Sequence, residues 1–103
     1  MTIKEDMSAN ANCPAEHLLK IVSGRWKPMI VRLALSEPVR FSELLRKLEG
    51  VNRQSLAVAL KELYEAEILE KNVIRQKPLH IEYRLTEKGN MLAGMLRQLE
   101  GLT

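Results

Sequence analysis

The sequence predicts a mainly α-helical fold with one small β-hairpin, an α+β fold, in a single domain. Along most of the 103-residue chain, apolar residues recur at the spacing of a buried helix face, whereas one segment alternates as strands do. Glycine and proline interrupt the helical pattern often, so we expect short helices. Residues 1–12 are polar and lack an apolar period. We therefore expect a flexible tail there and a single domain over residues 13–103.

Two short helices are predicted at the start of the domain. The first begins at Cys13-Pro14, because proline fits the first turn of a helix, and Gly24 ends it. The second opens at Lys27-Pro28 and stops before Glu37-Pro38. Its expected buried stripe consists of Met29, Ile30, Leu33 and Ala34.

The next two helices are separated by one turn. Residues 39–41 are long enough only for a minor edge strand, after which Ser42 is the predicted N-cap of a third helix that ends at Gly50. Asn52 is the predicted N-cap of a fourth helix, which runs to about Ala66. Its expected buried face consists of Leu56, Ala59, Leu60 and Leu63.

A hairpin and a last helix complete the chain. Residues 68–74 are rich in β-branched and apolar side chains, residues 75–78 form a polar turn, and residues 81–85 alternate. Thr86 is the predicted N-cap of the last helix. Its apolar stripe is wider than one neighbouring element needs, so we expect it to face a second copy of the chain; the stripe consists of Met91, Leu92, Met95, Leu96, Leu99 and Leu102.

Positive charge is concentrated in two segments. The whole chain has a formal charge of +3, which alone does not distinguish a nucleic-acid binder from any basic protein. Residues 40–61 have a net charge of +3 and residues 69–85 of +2, so the remainder of the chain is negative. Such clustering is what binding to a phosphate backbone requires.

This order of elements is the winged helix-turn-helix layout. A helix about 10–12 Å across fits a major groove about 12 Å wide, so the first turn of the fourth helix can reach base edges. Arg53, Gln54 and Ser55 occupy that turn. Arginine can bridge two acceptors of guanine, and glutamine can pair with adenine. The hairpin, or wing, is expected to contact the flanking DNA backbone through Arg75, Lys77 and His80.

Single-stranded nucleic acid and a partner protein are the alternatives to duplex DNA. The wing has no aromatic residues interleaved with its cations, so single-stranded nucleic acid is disfavoured. A winged helix can also serve as a protein-interaction module without a DNA role, because a fold does not fix a function. The aromatic residues are expected to pack in the core, although a small-molecule effector pocket near Trp26 stays open; these residues are Trp26, Phe41, Tyr64 and Tyr83.

From Cys13 to about Leu99 the chain resembles HxlR-type regulators, within the larger MarR-like winged-helix group. The matching stretches follow one another in the family's order and spacing; they are Cys13-Pro14, Gly24-Arg25-Trp26-Lys27-Pro28, Arg40-Phe41-Ser42-Glu43-Leu44, Gly50-Val51-Asn52, Leu60-Lys61-Glu62-Leu63, Pro78, and residues 82–89. The resemblance implies a homodimer, joined through the first and last helices, that binds double-stranded promoter DNA and usually represses.

The chain departs from the family pattern at two places. Ala57-Val58-Ala59 replaces the usual polar residues of the fourth helix, which directs readout to the first turn and leaves Ala57 or Val58 for a thymine methyl group. Glu67 stands where a glycine commonly ends the helix. The full set of predicted DNA-binding residues is Arg40, Ser42, Asn52, Arg53, Gln54, Ser55, Val58, Lys61, Arg75, Lys77 and His80.

Cys13 is the only cysteine, so no disulfide can form within one chain. Its place at a helix N-terminus would stabilise the thiolate, with His17 one turn away, and the resemblance implies a sensor of oxidants or electrophiles. An inert, partly buried thiol is the open alternative. Too few candidate ligands or catalytic partners accompany Cys13 for an enzyme or a metal site, and we expect no cofactor. Without a secretory or membrane-spanning segment, we expect a soluble, cytoplasmic protein.

Overall fold

The computed structural model describes residues 14–102. The order of elements is four helices, an antiparallel hairpin and a last helix, as the sequence predicts. The helices are α1 (Pro14–Ile21), α2 (Lys27–Ser36), α3 (Phe41–Lys47), α4 (Arg53–Glu65) and α5 (Glu87–Glu100), and the strands are β1 (Leu69–Gln76) and β2 (Leu79–Leu85). The predicted tail and Cys13 lie outside the described residues.

The buried face of α2 differs from the predicted stripe by one residue. Ile30 and Ala34 are buried as expected, but Met29 is 42% exposed and Val31 is fully buried. The helix packs against α4, α5 and β2. These neighbours bury a face centred between Ile30 and Val31, about 150° of helix rotation from Met29.

The N-cap of α3 is Arg40, so the prediction of Ser42 at this position was wrong. Arg40 is extended, and its backbone N–H donates to Glu43 Oε1 at 3.4 Å. The helix begins at Phe41 and Ser42 lies inside its first turn. A glutamate at the third helical position can satisfy the N-cap N–H itself, which permits a start before the serine. The predicted minor strand is a single bridge between Val39 and Tyr83.

The fourth helix agrees with its prediction at its start and on its buried face. Asn52 is the N-cap, and its Oδ1 accepts the backbone N–H of Ser55 at 2.7 Å. All four predicted core residues are buried: Leu56, Ala59, Leu60 and Leu63. The helix ends in a turn in which Glu67 has φ 64°, the left-handed conformation that usually takes glycine. This conformation is the physical reason for which the resemblance leads us to expect a glycine at position 67.

The wing is longer than predicted and its turn is shorter. Only Lys77 and Pro78 connect the strands, and Arg75 and Gln76 belong to β1, where they pair with His80 and Leu79. Polar side chains do not prevent pairing because the ladder is formed by backbone groups. The register shifts between Val73 and Arg75, which leaves Ile74 as a bulge near the tip.

The last helix contributes one face to the core and leaves another exposed. Thr86 is the N-cap, and its hydroxyl accepts the N–H of Gly89 at 2.9 Å, as predicted. Leu92 and Ala93 are buried. Four residues of the predicted apolar stripe are more than half exposed: Met91, Met95, Leu99 and Leu102. Among residues 14–102, every buried side chain of the core is apolar.

Candidate DNA-binding surface

The first turn of α4 exposes polar side chains to solvent, and its backbone is held by core packing and by an N-cap. Arg53 and Gln54 are exposed and Ser55 is half-buried. Leu56 is fully buried in the core, and the Asn52 cap holds the turn from the other side. Because both anchors constrain the same turn, the exposed side chains project from a fixed backbone.

The outer surface of α4 continues from this turn to Val58 and Lys61. Val58 is 50% exposed, and Lys61 is also exposed. Lys61 lines a cleft of about 310 Å³ between α4 and the wing, together with Lys71 and Tyr83. Neither lysine has a carboxylate within ion-pair distance in the described chain, so both ammonium groups add to the positive field.

The start of α3 lies next to the wing. Arg40 and Ser42, both exposed, line a shallow cleft of about 240 Å³ with Leu79 and Ile81 of β2. The bridge between Val39 and Tyr83 connects the two elements, with both N–H···O distances at 2.8 Å. The two sequence segments that concentrate positive charge are therefore neighbours in space.

The three predicted wing residues have different surroundings. Arg75 and Lys77 are exposed at or beside the two-residue turn, and neither has an ion-pair partner among residues 14–102. His80 is half-buried, and its Nε2 lies 3.1 Å from Glu82 Oε2. The imidazole is therefore already engaged within the wing, whereas the two longer cations are free to bind an anion.

Sequence reasoning missed Arg25, which lies beside the first turn of α4. A cleft of about 360 Å³ separates the α1–α2 connection from α4 and is lined by Arg25 and Trp26 on one side and by Gln54 and Ser55 on the other. The guanidinium carbon of Arg25 lies 4.8 Å from the centre of the Trp26 ring. In the sequence, Arg25 is visible only as part of the motif Gly24-Arg25-Trp26-Lys27-Pro28, which lies outside the two segments of concentrated positive charge.

Three of the four aromatic residues pack against the core, as predicted. These are Trp26, Phe41 and Tyr83. Tyr64 is 50% exposed, so the prediction for this residue was wrong. It follows Leu63 by one residue and is therefore rotated about 100° from the buried face of α4.

Neither a metal site nor a membrane span is found in the part of the chain that the structure describes. Residues 14–102 contain no group of three or more histidine, cysteine, aspartate or glutamate side chains arranged to hold a metal ion. Their helices are also too short and too polar to cross a bilayer.

Known proteins with similar sequences and structures are transcription regulators. The sequence profile of the HxlR-like helix-turn-helix family matches residues 21–103. The HTH-type transcriptional regulator YodB of Bacillus subtilis is 32% identical over 92 residues, which cover 88% of this chain and 82% of YodB.

Two solved structures extend the comparison to three dimensions. The redox regulator HypR in its reduced form superimposes with a TM-score of 0.80 at 29% identity, covering 86% of this chain and 88% of HypR. Quinone-bound YodB from B. subtilis superimposes with a TM-score of 0.75 at 30% identity, covering 87% of this chain and 96% of that one. Both are regulators that share the fold described above.

Proposed function

The chain belongs to the HxlR-like helix-turn-helix family of transcription regulators, and from this premise we propose that it is a homodimeric repressor that reads promoter DNA through α4. One observation carries the proposal. The first turn of α4 exposes Arg53 and Gln54 on a helix whose opposite face is locked into the core. Such a turn can enter the major groove without rearrangement of the domain.

In the proposed complex, α4 and the wing have separate tasks. Arg53 bridges the O6 and N7 atoms of a guanine, Gln54 pairs with an adenine, and Val58 contacts a thymine methyl group. Arg75 and Lys77 contact phosphates beside the groove and give affinity without sequence preference. Arg40, Ser42 and Lys61 contact the backbone between these two regions, and Asn52 and Ser55 fix the start of α4. His80 positions the wing through its contact with Glu82.

The proposed dimer forms through the exposed apolar face of α5, with α1 at its edge. Met91, Met95 and Leu99 lie on one stripe of α5 and are each more than half exposed. In α1, Leu19 is 62% exposed. A small domain rarely leaves such a stripe in water without a partner. Two-fold symmetry would then place the two α4 helices in successive major grooves.

A fluorescence anisotropy titration tests the DNA-binding role. Reduced protein is titrated into a duplex from upstream of its own gene and into a scrambled duplex, over a series of salt concentrations. We expect tighter binding to the native duplex and a linear fall of log K with log salt, with a slope of about −0.9 per phosphate neutralised. Equal affinity for both duplexes, together with no sequence enriched from a random library, would contradict the proposal and favour a protein-interaction module.

We also propose that Cys13 controls DNA binding as a redox sensor. The support comes from relatives: HypR is described as a redox regulator, and YodB has been solved bound to a quinone. Cys13 immediately precedes α1, which contributes to the proposed dimer. A bond formed at this thiol would shift α1 and change the spacing of the two reading helices.

The substitution Cys13→Ser tests this sensor. We expect the variant to bind the native duplex as the wild type does but to keep that binding after treatment with diamide or a quinone. Wild-type protein should lose its binding under the same treatment. Loss of binding by both proteins would exclude Cys13 as the sensor. Release of DNA by a small molecule without thiol modification would favour an effector bound in the cleft beside Trp26.

A further inference from the structure

We propose that Arg25 is a phosphate-binding residue that contacts the DNA backbone on the side of α4 opposite to the wing. This inference rests on the proposed DNA-binding function and adds a contact outside the predicted set. It follows from the environment of the guanidinium group: the stacking partner, the unpaired charge and the position relative to α4.

The guanidinium group of Arg25 is held in place by its neighbours. It stacks on the Trp26 ring, with 4.8 Å between the guanidinium carbon and the ring centre. A Cβ atom on Gly50 would lie 3.9 Å from Arg25 Nη2 and 3.7 Å from Trp26 Cη2. The stack therefore lies against the turn that connects α3 to α4. An arginine ordered in this way loses less side-chain entropy when it binds an anion.

The charge of Arg25 has no partner within the described chain. Lys27, which lines the same cleft, forms an ion pair with Glu62 at 2.7 Å and is neutralised. Arg25 is exposed and has no carboxylate within ion-pair distance among residues 14–102. A stacked, unpaired guanidinium presents its N–H groups to an external anion, and arginine binds phosphate with two parallel hydrogen bonds.

Arg25 and the wing flank α4 on opposite sides. The α4 residues that line the cleft at Arg25 are Gln54, Ser55, Val58, Ala59 and Glu62. Those that line the cleft beside the wing are Ala57, Leu60, Lys61, Tyr64 and Glu65. At 100° per residue the centres of these two sets lie about 120° apart around the helix, one on each side of its exposed face.

The walls of the major groove are the two phosphate backbones, so a helix within the groove has one backbone on each side. The proposed contacts of the wing are with the phosphate backbone that forms one of these walls. Of the two cations that line the cleft on the other flank of α4 in the described chain, Lys27 is paired with Glu62 and Arg25 is not. The ligand is therefore a backbone phosphodiester, and the contact would fix the register of α4 in the groove without reading a base.

The test compares wild-type protein with three variants by anisotropy, on native and scrambled duplexes across a salt series. Arg25→Ala removes the contact, and Arg25→Lys keeps the charge without the planar fork. Arg32→Ala is the control, since it also removes one positive charge but lies on α2 in an ion pair with Glu100. Thermal unfolding of each variant establishes that it is folded.

For Arg25→Ala we expect affinity to fall about tenfold per subunit on both duplexes, and the salt slope to fall by about 0.9 per subunit. The affinity and the salt slope of Arg25→Lys should lie between those of Arg25→Ala and those of the wild type. An Arg25→Ala variant indistinguishable from Arg32→Ala would overturn the inference while leaving the DNA-binding function intact. A loss confined to the native duplex would overturn it too, because that result indicates a base contact. Failure of the wild type to bind would instead contradict the function itself.

Neutral methylphosphonate linkages locate the contact. Single linkages are scanned through the native duplex against wild-type protein and Arg25→Ala. We expect one position per half-site at which neutralisation weakens the wild type about tenfold but weakens Arg25→Ala no further. That position should lie across the major groove from the one sensitive to Lys61→Ala. Additive losses at every position would overturn the assignment.

Discussion

At the scale of single residues, two glycines of α5 differ in the space that their surroundings leave for a side chain. A Cβ atom on Gly89 would collide with the backbone carbonyl oxygen of Ile68 and lie 3.0 Å from the Leu85 side chain. This close approach joins the start of α5 to the connection between α4 and β1 and to the end of β2. Gly94, on the same helix, has no atom within 4 Å of its Cβ position. Only the first glycine is required by packing.

We therefore expect Gly89→Ala to lower the free energy of unfolding by about 2 kcal/mol, because a backbone group must move to admit the methyl group. Gly94→Ala is the matched control and should raise it by about 0.5–1 kcal/mol, since alanine is the better helix former. Urea unfolding at one fixed protein concentration measures both. A neutral Gly89→Ala would show that the contact between α5 and the connection from α4 to β1 is loose.

At the scale of elements, α4 and the wing are expected to contribute differently to DNA binding. Arg53 is exposed at the first turn of α4, whereas Lys77 is exposed at the turn of the wing. A base contact discriminates between sequences, whereas a phosphate contact does not.

Arg53→Ala should reduce the preference for the native over the scrambled duplex by about 1–3 kcal/mol. Lys77→Ala should weaken binding to both duplexes equally and lower the salt slope by about 0.9 per subunit. Parallel titrations of the two variants measure this difference. If both variants lost affinity equally for both duplexes, α4 would not be reading sequence.

How far each element could be predicted depended on whether local signals agreed. For α4, an asparagine N-cap and a regular apolar period lead to the same start and the same buried face, and both predictions are correct. For α3, Ser42 predicts a helix that begins after the serine, whereas Glu43 permits one that begins after Arg40. The Glu43 side chain accepts the backbone N–H of Arg40, and the helix takes the earlier start. The wing turn was misplaced because backbone pairing of Arg75 and Gln76 leaves no mark in side-chain polarity.

The candidate site could be predicted where neighbours in sequence are neighbours in space. The first turn of α4 meets that condition, since Arg53, Gln54 and Ser55 are consecutive. Arg25 does not, because it is brought to α4 by the packing of the α1–α2 connection. Side-chain partners were also hidden from the sequence. His80 and Glu82 are two residues apart on β2 and therefore lie on one face of the strand, but the predicted strand began only at residue 81 and left His80 outside it.

At the scale of the whole molecule, the exposed stripe of α5 predicts the assembly state. Met95 lies within this stripe and is 56% exposed. Met95→Glu would place a carboxylate in the proposed interface, where burial without a partner is unfavourable. We expect this variant to be monomeric in sedimentation velocity experiments and to lose its preference for the native duplex. Val73→Glu, at a wing position that is 50% exposed, should stay dimeric. A dimeric Met95→Glu variant would place the interface elsewhere.

The central claim is that two copies of this chain read two half-sites with their α4 helices. Hydroxyl-radical footprinting of the reduced protein on its native duplex tests this claim most directly. We predict two protected segments on one face of the duplex, with their centres about 10–10.5 base pairs, or a small multiple of that distance, apart. A single protected segment, or protection spread evenly along the duplex, would contradict the claim.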